Sequence, residues 1–389
     1  MALPPQEIGR RIRETREQVG LSVADLASAL GVDPIAVERL EEGTLDPVPG
    51  DYVLIAARLL HTDFRYFISE ELDDVERTTR RVFRNLTNPR PADLLAIRRF
   101  VSLCICENDL EQLLSMKRSS LPPTYPDTLS GRLLHKEQGR VAARQERERL
   151  RLGLDPITNV FKLLRDTGVH LFRHRLEDTD LSGVTVLHPR AGVCVLINYE
   201  DDLYRQFFSV AHEYGHVLFD RDQISRDGHV ISYRYSTSAL IEIRCNNFAA
   251  EFLLPTAAFD RYPRPTDVES VKEMVGRVAL DYRINTETVA IRLKEMGWIT
   301  DRTLRSFQQV RPVVVRRGEK VDPEIPADLT PSQVERRVLA VQRGLSAAYL
   351  DLLRRALSQD CITLGRFAEM LEMSVTEAKE FVASTGLAI

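Results

Sequence analysis

The sequence predicts an α+β chain, mostly helical, with one small β-sheet near its middle and all-helical segments on either side. Three observations carry that expectation. Apolar residues recur at helical spacing from Ile8 to Leu114 and again from Gln333 to the end. Alternation, the mark of strands, is confined to Val169 and Leu171, then Val184 and Val186, then Val193, Val195 and Ile197. Proline-rich breaks at Leu121–Pro126 and Pro323–Pro331 divide the chain. At 389 residues it exceeds one compact core. The breaks give a helix-turn-helix module (1–65), a helical connector and linker (66–130), a central α+β domain (131–300), a linker (301–332) and a C-terminal helical module (333–389).

Composition narrows the class. Hydrophobic residues make up 43% and charged residues 28%, as in ordinary globular protein. A net charge of −4 leaves no global basic footprint for nucleic acid or membrane. No stretch approaches ~18 uncharged apolar residues, so no membrane span is expected. Five cysteines, an odd number at no framework spacing, fit a reducing cytoplasm. Cys104 and Cys106 are too close for a zinc finger and read as two thiols in a half-buried helix.

The first segment reads as a series of short helices. Ser22 is a natural N-cap before Val23, Gly31 a stop after Leu30, Asp33-Pro34 a cap and opening, and Gly43 another stop. Two short helices on a tight turn make a helix-turn-helix. Over about residues 1–60 the pattern resembles the helix-turn-helix of phage-repressor-like (XRE) regulators. It departs where DNA would be touched. Val23 stands where such proteins often carry Gln, and the recognition helix offers Asp33, Glu38, Arg39, Glu41 and Glu42. Residues 1–61 hold six Arg, no Lys and ten acidic residues, and only Arg10, Arg11, Arg13 and Arg16 cluster. Phosphate neutralisation needs cations facing the duplex. The module reads either as a DNA binder with a poor electrostatic footprint, or as the same fold kept for dimerisation or for gripping a protein.

Residues 64–121 are helical and charged. Gly139–Leu154, rich in Arg, reads as a solvated helix paired with its own Glu residues. A further helix runs from Ile157 to Thr167, and the runs around Val184–Leu187 and Val193–Ile197 form a hairpin whose strands could take an extended peptide at an open edge. Helices follow at Leu203–Phe219, from about Ser238 to Leu254, and over Val268–Met296. Ile362–Leu371 followed by Ser374-Val375 has the shape of a second helix-turn-helix.

The helix Leu203–Phe219 carries His212-Glu213-Tyr214-Gly215-His216. Two His four apart share one helix face at a separation one tetrahedral zinc can bridge. Glu213, beside the first of them, can take the proton of a water at the metal. The flanks are apolar, as a buried site requires. A catalytic zinc needs a third protein ligand, and no His follows at short distance. Glu242 and Asn246 lie on one face of the next helix. Glu251, further along on another face, and Cys245 are the competing ligands. His61, His135, His170, His174 and His188 show no ligand spacing. His229 with Tyr233 or Tyr235, between the two metal helices, could stabilise an oxyanion.

These blocks, from Ile197-Asn198 through Phe207–His216 to Glu242, Cys245, Asn246, Phe248, Ala249, Ala250, Glu251 and Pro255, resemble the ImmA/IrrE family of bacterial and phage metallopeptidases over about Gly139 to Trp298. The resemblance implies a gluzincin-like fold, Zn2+ on His212, His216 and Glu242, and cleavage of a helix-turn-helix repressor that relieves repression. Arg244 departs from the family, which often has Glu or Gln there. The expected partner is thus a protein substrate of the repressor kind, in a stress- or phage-response switch. The alternatives are a DNA-binding regulator whose peptidase-like domain senses a signal, or the peptidase part of a toxin–antitoxin or defence module. Self-association is compatible with either. An intracellular protease needs restraint, which the N-terminal helices lying over the cleft or a thiolate on the zinc could supply.

Overall fold

The computed structural model describes residues 3–70, 73–86, 89–125, 132–233, 240–309 and 320–385. Five helices form the N-terminal module: α1 (Pro5–Gln18), α2 (Val23–Leu30), α3 (Pro34–Glu41), α4 (Gly50–Leu59) and α5 (Phe64–Ile68). Local chemistry sets their ends. The Ser22 hydroxyl accepts from the Asp25 N–H while the Asp25 carboxylate accepts from the Ser22 N–H, a reciprocal cap on α2. Gly31 closes α2 at φ 67°, which a side chain would resist. Asp33 caps α3, with Pro34 in its first turn. Ile12, Leu26, Val37, Leu40, Ala56 and Leu60 fill the module's own core.

Helices α6 (Asp73–Arg84) and α7 (Pro91–Leu113) lead to α8 (Arg132–Arg149) and α9 (Val160–Asp166). Asn159 caps α9, so that helix begins at Val160, later than the Ile157 start the sequence suggested. Strands β1 (His170–His174), β2 (Leu181–His188) and β3 (Gly192–Asn198) follow, then α10 (Leu203–Phe219), α11 (Arg221–Asp227), β4 (His229–Tyr233) and α12 (Leu240–Leu253). The sheet order is β1-β3-β2-β4. β1 runs parallel to β3, and β2 is antiparallel to both β3 and β4. The expected hairpin is therefore present, but it occupies the middle of the sheet. Val195 pairs with Leu171 on one side and Thr185 on the other, so neither hairpin strand is an edge.

Both sheet faces are covered, which explains the nearly continuous apolar run of β3. Val193, Val195 and Ile197 join the core of α9, α10, α12, α13 (Val268–Asp281) and α14 (Thr286–Glu295). Cys194 and Leu196 face the other way, into a core made by α7 and the C-terminal helices α16 (Pro331–Gln342), α17 (Ala347–Ser358), α18 (Leu364–Met370) and α19 (Val375–Thr385), with α15 (Asp301–Gln309) preceding them. Segments 66–130 and 333–389, set apart in the sequence by prolines, thus share one core with the sheet. The stretch read as a linker is strapped down as well: Asp322 and Glu324 both pair with buried Arg173 at 2.7 Å. The Glu372 carboxylate, after α18, lies 2.7 Å from His61 and 3.1 Å from Arg99, where the N-terminal module meets α7 and the C-terminal helices.

α8 corrects the solvated-helix reading. It packs along α12, and its Ala142, Ala143, Glu146 and Arg147 are buried. Glu146 accepts from the hydroxyls of Tyr125 and Tyr214, each at 2.9 Å. Arg147 donates to the carbonyls of Gly153, Asp155 and Phe252. Part of the expected self-pairing is present, since Arg149 pairs with Glu146 at 2.8 Å and Arg144 with Glu137 at 3.2 Å, but Arg147 and the tyrosine contacts of Glu146 reach far along the chain. At Gly139 an added Cβ would come within 2.3 Å of the Arg244 carbonyl oxygen, so the two helices meet backbone to backbone. Cys104 is buried and Cys106 half-buried on α7, both as free thiols. No described helix is long and apolar enough to cross a membrane.

Candidate metal centre

α10 and α12 lie side by side beneath the sheet and bring three ligand-type side chains together. Asp202 caps α10 by accepting from the Tyr204 N–H, and Phe207, Val210, Tyr214 and Val217 anchor it in the core. On one face His212 and His216 then stand a turn apart, with Nε2 atoms 3.1 Å from each other. Glu242, in the first turn of α12, places Oε2 at 3.2 Å from Nε2 of His212 and Oε1 at 3.5 Å from Nε2 of His216. The donors of a tetrahedral zinc lie about 3.3 Å apart, since Zn–N is about 2.0–2.1 Å. The spacing fits such an ion without rearrangement. Burial alone would raise the Glu242 carboxyl, but its contacts with His212 and His216 pull it well below its ordinary value.

The rear nitrogens fix both rings. Nδ1 of His212 donates to Oδ1 of Asn246 at 3.0 Å, and Nδ1 of His216 donates to Oδ2 of Asp220 at 2.8 Å. A carboxylate can only accept, so Nδ1 of His216 carries a hydrogen, and Nε2 is the nitrogen turned toward His212 and Glu242. Asn246, singled out by its spacing from Glu242, thus backs the site. Asp220 carried no signal in the sequence beyond its four-residue distance from His216.

Glu213 is fully buried on the neighbouring face of α10. Its Oε2 accepts from the Thr185 hydroxyl of β2 at 2.5 Å, and its Oε1 has no hydrogen-bond partner among the described residues. Gly183 makes room for it, because a Cβ there would stand 2.7 Å from Oε1. An orphaned carboxylate oxygen beside a three-ligand cluster is what a water-activating base requires. The cluster opens on a cleft of about 370 Å³ lined by residues of α8, β2, α10, β4, α12 and α14.

Other candidates lie elsewhere. Glu251 is ion-paired to Arg292 and accepts from the Thr256 hydroxyl at 2.7 Å, which ties it to α14. Cys245 Sγ sits 3.5 Å from Nδ1 of His216, behind the ring and away from the metal-facing nitrogen. Burial pushes its thiol up to about 11. It is therefore placed neither as a ligand nor as a thiolate brake. No residue before α8 lines the cleft among the described residues, so the N-terminal helices do not lie over it. Tyr233 lines the cleft, whereas His229, on the same strand, does not; Tyr235 falls outside the described residues. His170, without ligand spacing, is held by Glu107 at 2.5 Å in the core.

The central segment matches the peptidase M78 family. The match is to the IrrE N-terminal-like domain and covers residues 164–294, which include His212, Glu213, His216 and Glu242. A second match, to a helix-turn-helix domain, covers residues 7–64. No curated protein matches the chain. The M78 segment accounts for the sheet and the α10–α12 pair but excludes α7 and the C-terminal helices that cover the sheet's other face. In the helix-turn-helix segment the clustered arginines are all engaged. Arg10 pairs with Glu7 at 2.6 Å and Arg13 with Glu17 at 3.0 Å. Arg11 is buried and donates to the Tyr66 carbonyl, and Arg16 forms a buried two-point pair with Glu41. The α3 face left to solvent carries Asp33, Ile35, Glu38, Arg39 and Glu42.

Proposed function

We propose that the chain is a zinc endopeptidase in which His212, His216 and Glu242 hold the metal and Glu213 is the general base, acting on a regulatory protein of the helix-turn-helix repressor kind. The observation that carries the chemistry is the meeting of two Nε2 atoms and a carboxylate at 3.1–3.5 Å beside the unpartnered Oε1 of Glu213, at the floor of an open cleft. The M78 match supports the reaction class, and the ImmA/IrrE resemblance supports the substrate class.

Zinc, when bound, would supply Lewis acidity toward the scissile carbonyl and the attacking water. Thr185 fixes one oxygen of Glu213, so the other is aimed and free to take the proton of that water and pass it to the leaving amine. The Tyr233 side chain, on the cleft wall, is the remaining candidate for oxyanion support. An extended substrate finds its backbone partners on β4, the strand paired to β2 on one side only, and not on the hairpin. The bulge at Leu181/Gly183 turns Ser182 toward the same cleft.

The second reading, a DNA-binding regulator with a sensing domain, is favoured by the helix-turn-helix match. Glu213→Gln separates the two. The change keeps shape and the Thr185 contact but removes proton affinity, and positioned bases contribute about 10²–10⁴-fold in rate. Purified zinc-loaded protein is incubated with repressors encoded beside it, and fragments are read by mass spectrometry. Cleavage by the wild type and none by a folded, zinc-replete Glu213→Gln protein is the expected result. A variant that retains its full effect in the cell sinks the enzyme reading.

A further inference from the structure

The two imidazoles of the cluster are backed unequally. His212 leans on a neutral amide, Asn246, whereas His216 leans on a carboxylate that has its own counterion. Oδ1 of Asp220 is ion-paired with Nη2 of Arg244, and the guanidinium lies 4.4 Å over the Phe219 ring. Asp220, Arg244 and His216 are all at most 5% exposed. Asp220 is also the C-cap of α10, its N–H donating to the His216 carbonyl oxygen at 2.8 Å, so the carboxylate is fixed to the residue it serves. Asp220 also stands as the N-cap of α11, but its side chain makes no capping hydrogen bond there, and a buried carboxylate needs a paired cation. Arg244 supplies that cation from α12, two residues from Glu242.

We propose, resting on the metal reading above, that Asp220 and Arg244 are a positioning pair for His216. Asp220 holds the ring in the tautomer and rotamer that present Nε2 to the metal, and Arg244 acts only through Asp220. The departure from the family pattern at position 244 then has a structural meaning: the residue there answers to whatever stands at position 220. The grouping of His216, Asp220 and Cys245 could be taken for a second metal site. It is instead a hydrogen-bonded support, because Nδ1 is committed to Asp220 and the guanidinium already neutralises that carboxylate.

The test uses the full chain with Asp220→Asn, Arg244→Met and the double variant, each checked for folding by circular dichroism. Zinc affinity is read by competition with a chromophoric chelator, and the His216 tautomer by imidazole ¹⁵N resonances of metal-free protein. Losing such outer-shell support typically weakens metal binding about 10–100-fold. Asp220→Asn should fall in that range, the double variant should fall no further, and Nδ1 protonation of His216 should be complete only in the wild type. If Asp220→Asn fails to fold around an unpaired Arg244, the double variant, which removes both charges, carries the comparison. Wild-type affinity and tautomer in that double variant overturn the proposal. A double variant far weaker than Asp220→Asn overturns the claim that Arg244 acts through Asp220. Two zinc ions per wild-type chain overturn the support role of the His216–Asp220–Cys245 group. A wild type that takes up no zinc overturns the metal reading as well, a failure told apart because the tautomer is read without metal.

Discussion

Gly183→Ala tests whether the base must stand where it does. The added Cβ would lie 2.7 Å from Oε1 of Glu213, 3.0 Å from Cδ and 3.1 Å from Cγ. Ordinary carbon contacts are about 3.5–4.0 Å, so the carboxylate has to retreat by roughly 0.5–1 Å. It cannot do so freely, because it is fully buried and Thr185 grips its other oxygen. The backbone itself accepts Ala, since Gly183 does not sit at positive φ. Ala in a strand interior even recovers the entropy that Gly loses, about 0.5–1 kcal/mol. The metal ligands are on other faces. A displacement of about 1 Å at a catalytic group costs up to about 10²-fold, and full loss of the base about 10⁴-fold. The expected outcome is a folded, zinc-replete protein whose cleavage of a proteome-derived peptide library, read by mass spectrometry, falls by about 10–10²-fold. Cleavage at the wild-type rate would refute the reasoning, and so would loss of zinc, which would put Glu213 in the ligand shell.

Three further outcomes follow from the same geometry. Glu242→Ala should abolish stoichiometric zinc in elemental analysis, while Glu251→Ala should keep it and lower the melting temperature by stranding Arg292; the reverse pattern would move the third ligand. Burial would raise the Glu324 carboxyl, but Arg165 and Arg173 hold it below its ordinary value, so its contribution is present above about pH 4.3 and lost as pH falls further. Glu324→Gln should therefore be less stable at pH 7 and show a shallower acid limb in melting temperature against pH, and an unchanged limb would remove the strap from the stability account. With the clustered Arg10, Arg11, Arg13 and Arg16 engaged within the module and acids prevailing on the α3 face, the full chain should give no sequence-selective gel shift at physiological salt, and a tight shift that fades steeply with salt would restore the DNA-binding reading.

Local signals made much of this legible. The caps at Ser22 and Asp33, the positive-φ Gly31, the α10 boundaries and the β2–β3 hairpin all rest on residues close in sequence, and so does the H-E-x-x-H face. The choice of Glu242 was legible from its spacing to Asn246 and from the family pattern. What the sequence hid is tertiary. β4 looked like loop because its five residues gain strand character only by pairing with β2. The hairpin looked like an edge because the parallel partner, β1, is remote from β3 in sequence. Arg244 looked like a local change of charge near the metal, yet its partner stands 24 residues upstream. Arg147 and Glu146 looked like surface charges for the same reason.

The sheet's second face has a practical corollary for anyone wishing to borrow the catalytic unit. Phe172, Val184, Val186 and Leu196 are roofed by α7 and by helices from Pro331 onward, which lie on either side of the sheet in sequence. A cassette cut to residues 131–300 would strip that roof and leave a greasy sheet bare to water, ready to stick to its neighbours. The unit to be transplanted from this chain is therefore larger than the stretch with the family pattern. Any fusion or trimming scheme has to carry the N-proximal and C-terminal helices along with the metal-binding middle.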